Sequence, residues 1–194
     1  MKKKEKIILI GGGGYSKACI DVIEQEKKFE IVGIIDERRI GEKVLGYPIV
    51  GSDQDLERLA KKKYKFLISL GQIGNVQKRI DLFNKLKTCR ARLATVFSPL
   101  AYVSRHAEVM EGTIVMDGAI VNAGACVGKD CIINTKALIE HDAQVGCHCH
   151  VSTGAIINGG VVIGEGSFIG SGAVSKQSAV IGKNSFIKAN SIIK

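Results

Sequence analysis

Histidine side chains are the groups in this sequence best suited to proton transfer, because imidazole takes up and returns a proton near neutral pH. The chain of 194 residues has four histidines: His106, His141, His148 and His150. His141 stands between two carboxylates, Glu140 and Asp142. The four histidines are therefore the candidates for a general base.

The histidines lie in a six-residue repeat that runs without a slip from Ala101 to the end of the chain. Fifteen of its sixteen first positions hold Ala, Ser, Thr or Cys, with Val161 as the exception. Fifteen of its sixteen third positions hold Val or Ile, with Ser175 as the exception. A helix of 3.6 residues per turn cannot keep this register, whereas a short strand followed by a corner can. Three hexads then predict one triangular coil of eighteen residues.

The register of the hexads predicts which side chains face inward. Side chains alternate along a strand, so the first and third positions share one side, which we assign to the interior. Glycine and asparagine are frequent at the fourth position and glycine at the sixth, where a corner can require a positive φ. His141 occupies a fifth position and is expected at an outward corner.

The run Cys147-His148-Cys149-His150 has the residue types of a zinc site. The register argues against one, because Cys149 is a first-position residue facing the interior, whereas His150 faces outward. We therefore predict no metal.

The first half of the chain alternates predicted strands and helices, which is typical of a small parallel sheet. Strands are expected at 5–10, 31–35, 66–70 and 93–97. Helices are expected at 15–28, 53–62 and 75–87. Ser52 and Asp55 predict a capping box at the start of the second helix. The predicted architecture is a small Rossmann-like parallel α/β domain over residues 1–97, followed by a parallel β-helix over residues 98–194.

Two glycine loops follow predicted strands of this sheet. The first, Gly11 to Gly14, fits G-x-G-x-x-G only with Ser16 in the last place, so a simple tight turn is an alternative. Asp36 ends the second strand, where an acidic side chain can bind a base or ribose, and Gly71 opens the second loop. The two loops predict a crevice for a nucleotide.

Composition excludes other classes of protein. The apolar runs are far shorter than the ~18 residues of a membrane span, and no secretory signal is expected. Six cysteines without an export signal predict free thiols and a cytoplasmic location. Residues 1–97 carry 21 Lys and Arg against 12 Asp and Glu, and so account for the net charge of +9. The lysine clusters lack interleaved aromatic residues, so we expect a solvated surface and no nucleic-acid partner.

The hexads resemble those of the hexapeptide-repeat acyltransferases. With the α/β half before them, the chain resembles one subfamily, the sialic acid O-acetyltransferases and the acetyltransferases of UDP-linked 4-amino sugars. The resemblance rests on IILIGGGGYSK, Phe97-Ser98-Pro99 and IIN-x5-EHD-x7-HVSTGA. It implies a left-handed β-helix, a homotrimer, acetyl-CoA between neighbouring prisms, and a nucleotide sugar, not NAD, on the first domain.

The resemblance also implies site residues. His141 matches the catalytic histidine, and Asp142 matches the carboxylate that orients it. The positions matched to the acetyl-CoA site are Asn134, His150, Gly154 and Ala155. The candidate nucleotide-sugar residues are Gly11, Gly13, Gly14, Tyr15, Asp36, Glu37, Arg38 and Gly71. Arg79 matches a recurrent arginine of the third helix.

The predicted reaction is acetyl transfer from acetyl-CoA to the amine of a UDP-linked 4-amino sugar, because an amine acceptor needs only one correctly placed base. O-acetylation of a sialic-acid-type sugar is the alternative. A γ-class carbonic anhydrase shares the prism, but its third zinc histidine would fall on Gly146. A nucleotide-sugar-binding scaffold without catalysis is a further alternative.

The positions of His141 and His150 also bear on assembly. One full face of the predicted prism, ~15 Å long at ~3.3 Å per residue, separates them, and both are expected to point outward. If both serve one acetyl group, they come from neighbouring subunits.

Overall fold

The computed structural model describes residues 4–194, which form two compact units. The first unit comprises the residues up to Gly71 together with Gln77–Val96. The second comprises Phe97–Lys194 and the short segment Gln72–Val76. This segment thus belongs to the second unit, although the residues on either side of it belong to the first.

The first unit is a six-stranded sheet with three helices. Its strands are β1 (Glu5–Ile10), β2 (Phe29–Ile35), β3 (Lys43–Val44), β4 (Tyr47–Gly51), β5 (Lys65–Ile68) and β6 (Arg92–Leu93). Its helices are α1 (Gly14–Glu26), α2 (Leu56–Ala60) and α3 (Gln77–Thr88). The strand order is β3-β4-β2-β1-β5-β6. Because β1 is parallel to both β2 and β5, the carboxyl ends of these three strands share one edge.

The sheet is parallel except at one edge, where β3 and β4 form an antiparallel hairpin. Its two turn residues, Leu45 and Gly46, have φ values of 48° and 87°, the conformation of a type I′ turn. These two strands were not predicted, because leucine at the first turn position is not a hairpin signal. The sheet is therefore mixed.

Two predictions for the first half agree with the structure: the buried first strand and the capping box at Ser52. The run Ile7–Ile10 is almost fully buried, as expected for a central strand covered on both faces. The predicted capping box is confirmed, since the Ser52 N–H donates to Asp55 Oδ2 at 3.0 Å and the Ser52 side chain accepts a backbone bond in return. It precedes a short 3-10 turn, Asp53–Asp55, and then α2.

The second unit is a left-handed parallel β-helix of seventeen two-residue strands in three sheets. The first sheet contains β7 (Val96–Phe97), β10 (Ile114–Val115), β13 (Ile132–Ile133), β16 (His150–Val151), β19 (Phe168–Ile169) and β22 (Phe186–Ile187). The second contains β8 (Tyr102–Val103), β11 (Ile120–Val121), β14 (Leu138–Ile139), β17 (Ile156–Ile157), β20 (Val174–Ser175) and β23 (Ile192–Ile193). The third contains β9 (Glu108–Val109), β12 (Cys126–Val127), β15 (Gln144–Val145), β18 (Val162–Ile163) and β21 (Val180–Ile181).

The eighteen-residue coil is confirmed by the pairing of the strands. Ile114 pairs with Ile132, and Ile132 pairs with His150, each step being one coil. First- and third-position residues form the buried core of the prism, as the register predicts; Ala137 and Ile139, for example, are fully buried.

Two different constraints explain the glycines of the corners. Sixth-position residues have a positive φ from Gly112 (80°) to Asn190 (56°). Fourth-position glycines such as Gly128 do not; a Cβ there would lie 2.7 Å from the backbone nitrogen of Cys147 in the next coil. Close contact between coils therefore selects glycine at fourth positions such as Gly128. Along residues 4–194, no helix has the length and apolar character needed to cross a membrane.

Candidate active site

His141 and Asp142 form a hydrogen-bonded pair at the corner that follows β14. Asp142 Oδ2 lies 2.9 Å from His141 Nδ1, and both side chains are exposed, at 59% for the histidine and 72% for the aspartate. An ionised carboxylate only accepts hydrogen bonds, so Nδ1 of the neutral ring carries the proton and Nε2 keeps its lone pair. The pair has the arrangement of a general base with an orienting carboxylate.

The electrostatics of the corner favour the protonated imidazole. The hydrogen bond that His141 donates to Asp142 raises the pKa of His141, and the negative charges of Asp142 and Glu140 raise it further, whereas desolvation opposes them. Glu140 is fixed in place, because its Oε2 accepts hydrogen bonds from Asn122 Nδ2 at 2.8 Å and from the His141 N–H at 3.3 Å.

His150 was expected to point outward from the prism; its side chain does leave the prism, but the residue is buried, with 5% of its surface exposed. The side chain meets the segment Gln72–Val76, where Nδ1 lies 2.7 Å from the carbonyl oxygen of Gln72. A carbonyl accepts, so Nδ1 donates. Nε2 lies 3.1 Å from Asn134 Nδ2 and accepts from it, since Asn134 Oδ1 is taken by the Thr135 N–H. Both ring nitrogens of His150 and the amide of Asn134 are thus engaged within the second unit.

The other two residues matched to acetyl-CoA differ in accessibility. Gly154 lies on a corner with a φ of 65°, and a Cβ there would meet no heavy atom of the described residues within 4 Å. Ala155 is fully buried in the prism. Its N–H bonds to the carbonyl of Ser152, and its carbonyl accepts from the Leu138 N–H. Of this pair, Gly154 has the more open surface.

A second histidine and aspartate pair is buried. His148 Nδ1 lies 2.9 Å from Asp130 Oδ2, and the exposure of the two side chains is 8% and 1%. The two residues occupy sixth positions of consecutive coils, so the pair joins the coils. Along residues 4–194, no cluster of three or more His, Cys, Asp and Glu side chains is arranged to hold a metal ion.

In the first unit, the glycine loop between β1 and α1 is held by residues that follow β2. The Gly12 N–H donates to Asp36 Oδ2 at 2.8 Å, and the Gly12 carbonyl accepts from Arg39 Nη1. Asp36 Oδ1 accepts from the Arg38 N–H at 3.1 Å and caps a short 3-10 turn. Asp36 therefore fixes the shape of the loop. Arg39 was not among the predicted residues, and only its place in the Asp36–Arg39 turn could have suggested it.

A cavity of about 170 Å³ lies beside this loop. Five of the predicted nucleotide-sugar residues line it: Gly11, Gly13, Asp36, Glu37 and Arg38. Two charged lining residues, Asp53 and Lys78, were not predicted, because they lie at the starts of helical segments rather than in a glycine loop. The lining thus carries three carboxylates and two cations.

Four other predicted residues lie outside the lining of this cavity: Gly14, Tyr15, Gly71 and Arg79. Gly14 begins α1. Gly71 is exposed and lies against Tyr15, whose Cβ would be 3.5 Å from a Cβ at position 71. Arg79 is buried and donates through Nη1 to the carbonyls of Ile68, at 3.2 Å, and Leu70, at 2.6 Å. The arginine of α3 therefore holds the chain that leaves β5.

The chain is similar in sequence and in structure to known proteins. The family model of the PglD N-terminal domain matches residues 6–86. The acetyltransferase domain of PglB from Neisseria gonorrhoeae FA1090 is 30% identical, with a TM-score of 0.92 over 98% of this chain and 92% of that chain. The same domain in complex with acetyl coenzyme A gives 29% identity and a TM-score of 0.90 over 98% and 93%.

A further solved structure is that of PerB from Caulobacter crescentus in complex with CoA and GDP-perosamine. It is 30% identical, with a TM-score of 0.90 over 100% of this chain and 90% of that chain. A search of the curated proteins gives no match. The chain therefore belongs to the family of acetyl-CoA-dependent sugar acetyltransferases with a left-handed β-helix that includes the PglB domain and PerB.

Proposed function

We propose that the protein transfers the acetyl group of acetyl-CoA to the amine of a UDP-linked 4-amino sugar, with His141 as the general base. The observation that carries this proposal is the exposed His141–Asp142 pair, whose Nε2 is left to accept a proton. The neutral amine attacks the thioester carbonyl while Nε2 removes the amine proton. The tetrahedral intermediate then expels the CoA thiolate, which takes up the proton from the imidazolium.

The cavity of the first unit supports a nucleotide sugar as the acceptor. It adjoins the start of α1, where the first turn carries no acidic residue and backbone N–H groups favour an anion such as a diphosphate. Arg38 and Lys78 add positive charge, and the carboxylates Glu37 and Asp53 offer acceptors for base or ribose donors. A GDP-linked amino sugar is the second candidate, because PerB was solved with GDP-perosamine.

The test is an acetylation assay on the purified full chain with UDP- and GDP-linked 4-amino sugars and with sialic acid as separate acceptors. Thiol release measures turnover, and the mass of the product shows whether one acetyl group was added. Acetylation of a UDP-linked amino sugar is the expected result. Preference for the GDP-linked sugar would replace the nucleotide, acetylation of a sialic acid hydroxyl would replace the acceptor, and a chain that binds but never releases thiol would be a scaffold.

We also propose that the protein is a homotrimer with acetyl-CoA bound along the prism near Gly154. The outward positions of the second sheet are all apolar and are partly or largely exposed: Tyr102, Ile120, Leu138, Ile156, Val174 and Ile192. A continuous apolar face of this kind favours contact with another copy of the chain. His141 follows β14 of the same sheet, so it would lie close to such a contact.

A cytoplasmic location is part of the same proposal. All six cysteines are free thiols, two of them, Cys131 and Cys149, in the interior of the prism. Reduced thiols and a co-substrate made inside the cell both fit this compartment.

A further inference from the structure

The imidazole of His141 lies against a residue of the next coil that has no side chain. Gly159 occupies the position one coil after His141, and the neighbouring Gly160 N–H bonds to the His141 carbonyl at 3.0 Å. Gly159 is the only glycine at a fifth position in the repeat. One coil before His141 the fifth position holds Ala123, so the two stacked neighbours of His141 are the smallest residues available.

A side chain at position 159 would occupy the place of the imidazole ring. A Cβ built on Gly159 would lie 2.6 Å from His141 Nε2, 2.7 Å from Cε1 and 3.3 Å from Cδ2. These are its three nearest heavy atoms, and all belong to the ring. The part of the ring that carries Nε2 therefore lies where the side chain of any other residue at position 159 would begin.

The usual reasons for a glycine do not apply at this position. Gly159 lies outside the left-handed region, unlike the corner glycine Gly160, whose φ is 67°. At Gly128 and Gly164 an added Cβ would meet backbone atoms of the next coil, whereas at Gly159 the nearest atoms belong to a side chain. The space that Gly159 provides is occupied by the ring of His141.

The carboxylate of Asp142 also lies against a glycine, in the coil before it. A Cβ on Gly124, one coil before Asp142, would lie 2.3 Å from Asp142 Oδ1. The Asp142 N–H bonds to the carbonyl of Ala123 at 3.2 Å. The pair thus lies between two glycines, with Asp142 over Gly124 and His141 against Gly159.

We propose that Gly159 is a positioning residue for His141. Because Gly159 has no side chain, the His141 ring has room to lie where Nδ1 donates to Asp142 and Nε2 can reach the acceptor. This inference rests on the proposed role of His141 as general base. Because the ring is the flexible end of an exposed side chain, a methyl group at position 159 displaces the ring and leaves the coil folded. Asp142 and Glu140 are the charged groups that act on His141, and Ala123, Gly159 and Gly160 around it are uncharged.

The experiment compares Gly159→Ala with a matched control, Gly182→Ala, in the full-length protein. Gly182 is also a prism glycine outside the left-handed region, and its added Cβ would meet nothing closer than Ser185 Oγ at 3.8 Å. For both variants we would measure the melting temperature, the titration of the His141 ring by NMR, and kcat and KM across pH.

We expect Gly159→Ala to keep the melting temperature of Gly182→Ala and to lower kcat by about 10²-fold, the size of effect that a 1 Å misplacement of a catalytic group produces. The titration midpoint of His141 should fall, because the displaced ring loses Asp142. KM for acetyl-CoA should not change. Wild-type titration of His141 in Gly159→Ala overturns the proposal, whatever kcat does. The NMR result stands even if no acceptor sugar is acetylated, so failure of the proposed function is distinguished from failure of this inference.

Discussion

Oδ2 of Asp36 accepts the backbone N–H of Gly12 at 2.8 Å and so fixes the glycine loop from the end of the neighbouring strand. Removal of this carboxylate should loosen the loop beside the cavity. We expect Asp36→Ala to raise KM for the sugar nucleotide roughly tenfold, the effect of losing one charge-assisted hydrogen bond, and to leave KM for acetyl-CoA unchanged. Steady-state kinetics with each substrate varied in turn measure both constants. Asp21→Ala, an exposed acid on α1, is the control, and an equal rise in both constants would contradict the assignment.

Replacement of His141 tests the general base directly. We expect His141→Ala to lower kcat by roughly 10²- to 10⁴-fold, the usual contribution of such a base, with acetyl-CoA affinity retained. Turnover assays and calorimetric titration with CoA measure the two effects. His106→Ala removes another exposed histidine of the prism and should behave like the wild type. Near-normal turnover of His141→Ala would remove this residue from the mechanism.

The pH dependence follows from the raised pKa of His141. A base works when neutral, so kcat should rise with pH through a pKa above the usual 6.5 of histidine. Asp142→Asn removes the hydrogen-bonded charge, so the rising limb should move to lower pH while the maximal rate falls. Profiles of kcat against pH for the two proteins provide the measurement. A limb that stays in place, or moves to higher pH, would show that Asp142 does not set the titration.

His150 is expected to stabilise the fold. Its removal leaves the buried Gln72 carbonyl and the amide of Asn134 without their shared partner. His150→Ala should therefore lower the free energy of unfolding by about 1–3 kcal/mol, the cost of leaving the buried Gln72 carbonyl unpaired. Urea denaturation of this variant and of His106→Ala gives the comparison. Equal stability of the two variants would mean that the contact with Gln72 contributes nothing.

A charge introduced on the apolar face of the second sheet tests the proposed trimer. Ile120→Glu places a charge on this face, where it would be desolvated between subunits, so it should shift the protein from trimer to monomer in light scattering. Gln25→Glu adds the same charge on α1 and should leave the trimer intact. A wild-type protein that is monomeric at assay concentrations and fully active would rule out the proposed assembly.

The periodic half of the fold was predictable because each hexad repeats the same constraint. The interior positions of Ala137 and Ile139, for example, follow from register alone. The pair of His141 and Asp142 is adjacent in sequence, so its hydrogen bond could be anticipated. The contact of His150 with Gln72 joins residues 78 apart, and the segment 72–76 has no periodicity that would place it. The β3–β4 hairpin escaped prediction because Leu45 takes a conformation that leucine rarely adopts.

Asp142 has a φ of 60° at the sixth position of its hexad, and seven other hexads, from Gly112 to Gly172, have glycine at this position with similar angles. A residue with a Cβ pays about 1 kcal/mol for that conformation. Selection for thermal stability alone would therefore favour Asp142→Gly and would remove the orienting carboxylate in the same step. The proposed role of Asp142 thus implies a trade-off between stability and activity, and laboratory evolution for thermal stability without a turnover screen should replace the aspartate by glycine.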